Sequence, residues 1–246
     1  MTKLARCLGL ALALLALAGC HSTGPLHVVV DPTLASGDVY EVSGLTNRYW
    51  GKPMRFGEFQ TRKTRVGESW AWSTGLWNVA GGTLAGGVRV QPYRFVFVGE
   101  QGAEWQVECR AKTPILRHTG EHHETEVRIG DTRLGCAIRT LDMPQRDAGE
   151  RVNALSLTGY GYDFAGTTDF GGEPIDIRVL RELPGRDGRL VHVPGVLGYE
   201  LRQGGQVMAS VDLLGNGRVY LAREAPPELR DQLAMTATVL MFFGES

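Results

Sequence analysis

Three histidines and two neighbouring glutamates cluster within seven residues, and side chains of these types can bind a metal ion. His118 and His122 are four positions apart, which on a helix would place both on one face. However, Gly120 lies between them and disfavours a helix. His123 and Glu124 begin an H-E-x-x-H pattern, but Val127 stands where the second histidine should be. We therefore interpret the segment as a polar loop between strands and expect neither a metal nor another cofactor.

A pair of carboxylates, Asp163 and Asp169, lies in a segment rich in glycine and tyrosine, residues 159–173. Two carboxylates facing each other across a cleft are what glycoside hydrolysis requires. Glycine- and aromatic-rich segments of β proteins are also common as turns with packed rings. Since no nucleophile elbow, P-loop or complete dinucleotide fingerprint accompanies the pair, we expect a non-catalytic protein. A hydrolase of glycan or peptide bonds that uses Asp163 and Asp169 is the alternative.

Basic and aromatic residues are interleaved between Arg48 and Trp72, and Trp77 follows closely. Arginines beside aromatic rings bind anionic or sugar-like surfaces through charge-assisted hydrogen bonds and stacking. Strand alternation alone, with aromatic side chains inward and basic ones outward, would give the same pattern. The candidate binding surface consists of Arg48, Trp50, Arg55, Arg62, Lys63 and Arg65.

The overall composition is that of an ordinary globular protein. The 246 residues are 43% apolar and 22% charged, which is unlike a disordered or low-complexity chain. The 26 Lys and Arg are balanced by 27 Asp and Glu, whereas nucleic-acid-binding proteins carry a clear basic excess. We therefore expect no nucleic-acid partner.

The N-terminus has the layout of an export signal. Lys3 and Arg6 precede an apolar run over residues 8–17, which is too short for a stable transmembrane helix. The run leads into Leu17-Ala18-Gly19-Cys20, and these small residues before a cysteine resemble the lipobox of bacterial lipoproteins. An ordinary secreted protein with a chance cysteine at this place is the alternative.

The resemblance implies that residues 1–19 are a cleaved signal peptide and that Cys20 carries fatty acyl chains such as palmitate. Two or three chains make a stable membrane anchor. His21 stands where an aspartate would be the usual cue for retention at the inner membrane, so we expect an anchor in the outer membrane and a domain that faces the periplasm. Expected partners are then the membrane itself and an envelope protein, peptidoglycan or lipopolysaccharide.

Two cysteines, Cys109 and Cys136, remain outside the signal and the lipidation site. In an oxidising compartment a pair of this kind suggests a disulfide. Both lie on the apolar faces of candidate strands, so we predict a Cys109–Cys136 bond; two buried free thiols are the alternative.

The rest of the chain consists of short alternating segments that are separated by turn residues, a texture typical of an antiparallel β-sandwich or barrel. Gly215-Asn216-Gly217 predicts a hairpin, and the glycine-rich residues 81–87 are expected to be a flexible connection. Pro226-Pro227 opens a long apolar run that predicts a helix over residues 226–243. We expect a tether over residues 20–36 and one β-rich domain over residues 37–246.

Overall fold

The computed structural model describes residues 26–79, 82–141, 153–185 and 187–243. Its main feature is a 14-stranded antiparallel sheet that curls into a nearly closed barrel around the C-terminal helix. The predicted fold class is confirmed, and of the two architectures left open the sheet adopts the barrel-like one. The predicted signal peptide and Cys20 lie outside the described residues.

Sixteen strands and one α-helix make up the described part of the chain, together with 3-10 turns at Pro32–Leu34 and Leu45–Trp50. The strands are β1 (Asp38–Glu41), β2 (Arg55–Phe56), β3 (Phe59–Val66), β4 (Trp70–Val79), β5 (Gly82–Val98), β6 (Glu104–Thr119), β7 (Glu124–Arg128), β8 (Thr132–Thr140), β9 (Asn153–Tyr160), β10 (Asp163–Asp169), β11 (Ile175–Leu180), β12 (Glu182–Pro184), β13 (Leu190–His192), β14 (Gly198–Gln203), β15 (Gln206–Asp212) and β16 (Arg218–Leu221). The helix α1 spans Pro227–Phe243. The β15–β16 pair is the hairpin predicted around Gly215-Asn216-Gly217.

The barrel wall follows the order β1-β16-β15-β14-β11-β10-β9-β8-β6-β5-β3-β2, while β12 and β13 form a separate hairpin. Its two edges, β1 and β2, meet through Ser43 and Arg55, which exchange backbone hydrogen bonds of 2.8 and 3.0 Å. Tyr40 of β1 packs against the rings of Phe56 and Phe59, with ring centroids 6.5 and 6.1 Å apart. These contacts close most of the gap between the edges.

The interior of the barrel is occupied by α1. Its start agrees with the prediction, with Pro227 as the first helical residue and Glu228 in the first turn. A helix that is apolar on all sides must be buried, and every residue from Leu233 to Phe243 is at most 4% exposed. Phe242 stacks on Tyr93 and Phe95 of β5, so the helix packs directly against the barrel wall.

The N-terminal end of α1 is held by a buried arginine. Arg230 pairs with Asp38 of β1 at 3.0 Å and with Glu100 of the β5–β6 turn at 3.2 Å. It also donates to the hydroxyl of Tyr40 at 2.8 Å. Arg230 therefore connects the helix, one barrel edge and a turn at the same end of the barrel.

The two longest strands, β5 and β6, extend beyond the barrel. Their barrel halves pair with β3 and β8, whereas their distal halves pair with β4 and β7. We call the four-stranded extension formed by β4, residues 82–90 of β5, residues 112–119 of β6 and β7 the blade. The prediction of a flexible β-connection over residues 81–87 is wrong for residues 82–87, which belong to β5: β4 pairs with residues 82–87 and β6 pairs with residues 83–87.

The two cysteines form the predicted disulfide. Cys109 on β6 and Cys136 on β8 are directly opposite each other, with Cα atoms 4.1 Å apart. Both are buried in the barrel core.

The predicted tether is described from Leu26 onward, and its described part contacts the domain. His27 Nδ1 lies 2.9 Å from the buried Asp212 carboxylate, and the backbone N–H of Val28 donates to the same oxygen. Leu34 is buried as well.

Candidate functional site

The two carboxylates of the alternative hydrolase do not come together. Asp163 and Asp169 are the first and last residues of β10, so strand geometry places their Cα atoms about 20 Å apart. The carboxylates of glycosidases are about 5–10 Å apart. Asp169 accepts a hydrogen bond from the N–H of Gly171 at 2.7 Å and so stabilises the turn after β10. The structure therefore does not place Asp163 and Asp169 as a glycoside hydrolase would need them.

The histidine segment is a hairpin connection. His118 is the second-last residue of β6, and the turn to β7 is closed by the Gly120 N–H, which donates to the His123 carbonyl at 2.9 Å. The rings of His118 and His123 are 5.5 Å apart. Across the described ranges, no three His, Cys, Asp or Glu side chains are grouped so that they could hold a metal ion.

The structure divides the predicted basic and aromatic surface into separate places. Arg48 is buried in the 3-10 turn that Trp50 ends, whereas Trp50 is 81% exposed. Arg55, Arg62 and Lys63 line a shallow groove of about 330 Å³ beside β2 and β3. Arg62 also pairs with Glu104 of β6 at 3.1 Å.

Arg65, the sixth member of that surface, belongs to a different groove on the outside of the barrel. This groove has a volume of about 420 Å³ and is lined by Arg65, Arg94 and Arg110, with Glu108 as the acid of the lining. Arg65 and Arg94 are directly opposite on β3 and β5. Like charges in that position destabilise a sheet, so this groove is favourable for an anion.

The most prominent exposed surface is the outer face of the blade. Tyr93 and Phe95 of β5 point into the barrel, so the alternate positions of β5, including Val90 and Val88, point outward. Trp70 is paired with Val90 and Trp72 with Val88, so these two indoles share the outer face.

A β-bulge places a third tryptophan on the same face. Register shifts between Thr74 and Leu76, so that Gly75 is the extra residue and Trp77 pairs with Leu84. Strict alternation would have put Trp77 on the side opposite to Trp72. The exposed fractions of the three blade tryptophans are 52, 53 and 54%.

Aliphatic side chains continue this surface across the blade. Pro114 and Leu116 of β6 follow next to the β5 residues, and the exposed Val127 of β7 lies opposite Leu116. Ile129, which donates its N–H to the Pro114 carbonyl, is also exposed. The outer face therefore carries apolar side chains on all four strands, and toward the tip His118 and Thr125 complete the row of Trp77 and Leu84.

The inner face of the blade is polar. Arg89 pairs with Glu126, and Arg117 pairs with Glu126 at 3.3 Å and with Glu124 at 2.9 Å. These side chains stand beside a groove of about 380 Å³, which Arg89, Glu126 and Arg128 help to line. The blade thus has one face with paired charges and one apolar face.

The sequence analysis missed this surface, although its stretch of basic and aromatic residues extended to Trp77. The missing information was the pairing of β4 with β5, which alone shows that the three tryptophans share a face.

Comparison with family models, with curated proteins and with solved structures gives no match for the chain. Within the described residues, no helix has the length and apolar character needed to span a membrane.

Proposed function

We propose that the protein is a membrane-anchored envelope lipoprotein whose domain is a non-catalytic binding module or assembly component. The outer face of the blade is its binding surface. The observation that carries this proposal is the apolar outer face, since large exposed apolar patches on a soluble domain mark interaction sites.

The filled barrel supports a role for the surface rather than for the interior. Barrels that carry small molecules hold them inside the sheet. Here α1 takes up that space, with its buried residues packed against the wall. Binding is therefore assigned to the outside, where the blade projects from the barrel.

The anchor is supported by the lipobox-like residues alone, and it is tested by fractionation. Cys20→Ser should move the protein from the membrane pellet to the soluble fraction and abolish labelling with a radioactive fatty acid. Cys7→Ser, which changes a cysteine inside the same predicted signal, is the matched control and should keep both properties. If the Cys20 variant still pellets and labels, the anchor is excluded.

The binding surface is tested by a photoreactive amino acid placed at Trp72 in intact cells, with Trp50 as the control position because it is an exposed tryptophan outside the blade. Adducts to protein, glycan or lipid are detected as mass shifts of the labelled peptide. A defined adduct at Trp72 that is absent at Trp50 supports the proposal. Equal labelling at both positions, or none at either, would overturn it.

A further inference from the structure

We infer that the partner of the blade is the surface of an anionic phospholipid bilayer, on which the outer face lies flat. This inference rests on the proposed function, because it takes the outer face of the blade as the binding surface. It adds the chemistry of the partner, which follows from the charges that border the apolar face.

A set of five exposed cations adjoins the apolar surface on the same side of the sheet. Lys112 is directly opposite Val90, and Arg133 of β8 is directly opposite Lys112. Toward the barrel follow the three arginines of the outer groove, so that the basic set consists of Arg65, Arg94, Arg110, Lys112 and Arg133. Glu108, opposite Arg94, is the acid in the lining of that groove, against three arginines, which leaves the groove with an excess of positive charge.

Within the part of the chain that the structure describes, the basic set has no ion-pair partner. Among the described residues, none of these five side chains takes part in an ion pair, whereas Arg89 and Arg117 on the inner face do. The two faces of the same strands therefore treat their charges differently. Charges that are left unpaired beside an apolar surface favour an anionic partner.

The spacing suits a bilayer surface. Residues two apart on a strand are separated by about 7 Å, so Lys112 lies about 7 Å from the level of Pro114 and Arg110 about 14 Å from it. Because the face lies flat, these distances run along the bilayer surface. An amphipathic helix in the interface buries its apolar face about 5–10 Å deep. With the indoles and aliphatic side chains of the blade at a similar depth, the long side chains of the neighbouring Lys and Arg reach back to the phosphate groups of the lipid heads.

The types of side chain also fit this partner. Tryptophan concentrates at the boundary between the apolar and polar parts of a bilayer, because its ring is apolar and its N–H is polar. Three indoles on one face, with cations on one side of them, reproduce that arrangement. Near an anionic surface each Lys or Arg contributes about 1 kcal/mol to binding.

Vesicle binding tests the inference with the expected mature chain, residues 20–246 carrying Cys20→Ser, so that neither acyl chains nor the apolar signal dominates binding. The probe is vesicles of phosphatidylglycerol, compared with vesicles of phosphatidylcholine, in a co-sedimentation assay. Lys112→Gln with Arg133→Gln should weaken binding to the anionic vesicles about 30-fold, which is 2 kcal/mol at 1.4 kcal/mol per tenfold change. Arg178→Gln on β11 with Arg189→Gln in the β12–β13 hairpin removes the same charge from exposed positions elsewhere and should leave binding unchanged.

The apolar part is tested in the same assay. Trp72→Ser should weaken binding to phosphatidylglycerol vesicles, while Trp50→Ser should not; equal urea midpoints would show that all variants remain folded. Equal binding by the blade and control variants overturns the inference. So does equal binding to both kinds of vesicle.

The outcomes separate this inference from the proposal on which it rests. If the blade variants lose the adduct formed in cells but bind anionic vesicles as well as the parent does, the partner is an acidic protein or a glycan, and only the inference fails. If neither the adduct nor vesicle binding depends on the blade, both fail.

Discussion

Arg230→Met removes a buried charge that holds the end of α1 to the barrel. Arg230 contacts the carboxylates of Asp38 and Glu100 and the hydroxyl of Tyr40. Methionine keeps most of the length of the side chain but none of its hydrogen-bond donors. The carboxylates of Asp38 and Glu100 then have no cation between them.

The magnitude follows from how exposed the partners are. Breaking a fully buried ion pair by removing one partner costs about 3–5 kcal/mol. The side chain of Arg230 is 9% exposed, but those of Asp38 and Glu100 are 30% and 36% exposed, so water recovers part of the loss. We therefore expect the free energy of unfolding to fall by about 2–3 kcal/mol.

Urea denaturation measures this loss, and the chain provides a matched control. Arg223 pairs with the other oxygen of the same Asp38 carboxylate at 3.3 Å, but its side chain is 65% exposed. Arg223→Met should therefore cost less than about 1 kcal/mol. For Arg230→Met the urea midpoint should fall by about 1 M with an unchanged slope. Equal losses for the two variants would refute the reasoning from burial.

Three further measurements test other parts of the core. Replacing Cys109 and Cys136 together by alanine should lower the free energy of unfolding by about 3.5 kcal/mol, the chain-entropy value for their separation of 27 residues; a midpoint that is the same with and without reductant in the parent would contradict this. Tyr199→Phe should raise the free energy of unfolding by about 1 kcal/mol, because the buried Tyr199 hydroxyl has no hydrogen-bond partner among the described residues and burial raises its pKa; a thermal melt with a lower midpoint would contradict it. Burial raises the pKa of the Asp231 carboxyl above its usual 3.8, so the folded state binds the carboxyl proton more tightly than the unfolded state does. The contribution of Asp231 to stability therefore decreases as the pH rises through its folded pKa. Asp231→Asn, whose amide oxygen can still accept from the Glu100 N–H, should therefore be stabilised relative to the parent at neutral pH but not below pH 3.8; a difference that does not change with pH would exclude this assignment.

Local signals were sufficient for much of the fold. Pro226-Pro227, followed by a run without glycine or proline, predicted α1 to within one residue at its start. Gly215-Asn216-Gly217 predicted the β15–β16 hairpin. The prediction is correct because the turn needs positive φ angles, and Gly215 and Gly217 adopt φ angles of 61° and 82°. The alternation around Cys109 and Cys136 placed both cysteines on inward faces, which is where the disulfide forms.

The blade could not be predicted, because its features depend on neighbouring strands. Glycine has a low strand propensity, yet residues 82–87 form a strand because partners on both sides pair with their backbone groups. The side of the sheet on which Trp77 lies depends on the bulge at Gly75, which changes the alternation by one residue. The grouping of Arg65 with Arg94 and Arg110, likewise, follows from register between strands that are far apart in the chain.

The closure of the barrel has a consequence for how the chain folds. Strand β1 is completed by β16, so that Glu41 and Arg218 form a salt bridge across a separation of 177 residues, and the core is filled only by α1, which follows β16. Contacts of such long range make folding slow, since the ends of a large loop must first meet. The barrel lacks its last strand until Leu221 has been synthesised, and it lacks its interior until α1 is complete at Phe243. We therefore expect the barrel to close only after nearly the whole chain has been synthesised, which would keep the polypeptide in the unfolded form that export of the proposed lipoprotein requires.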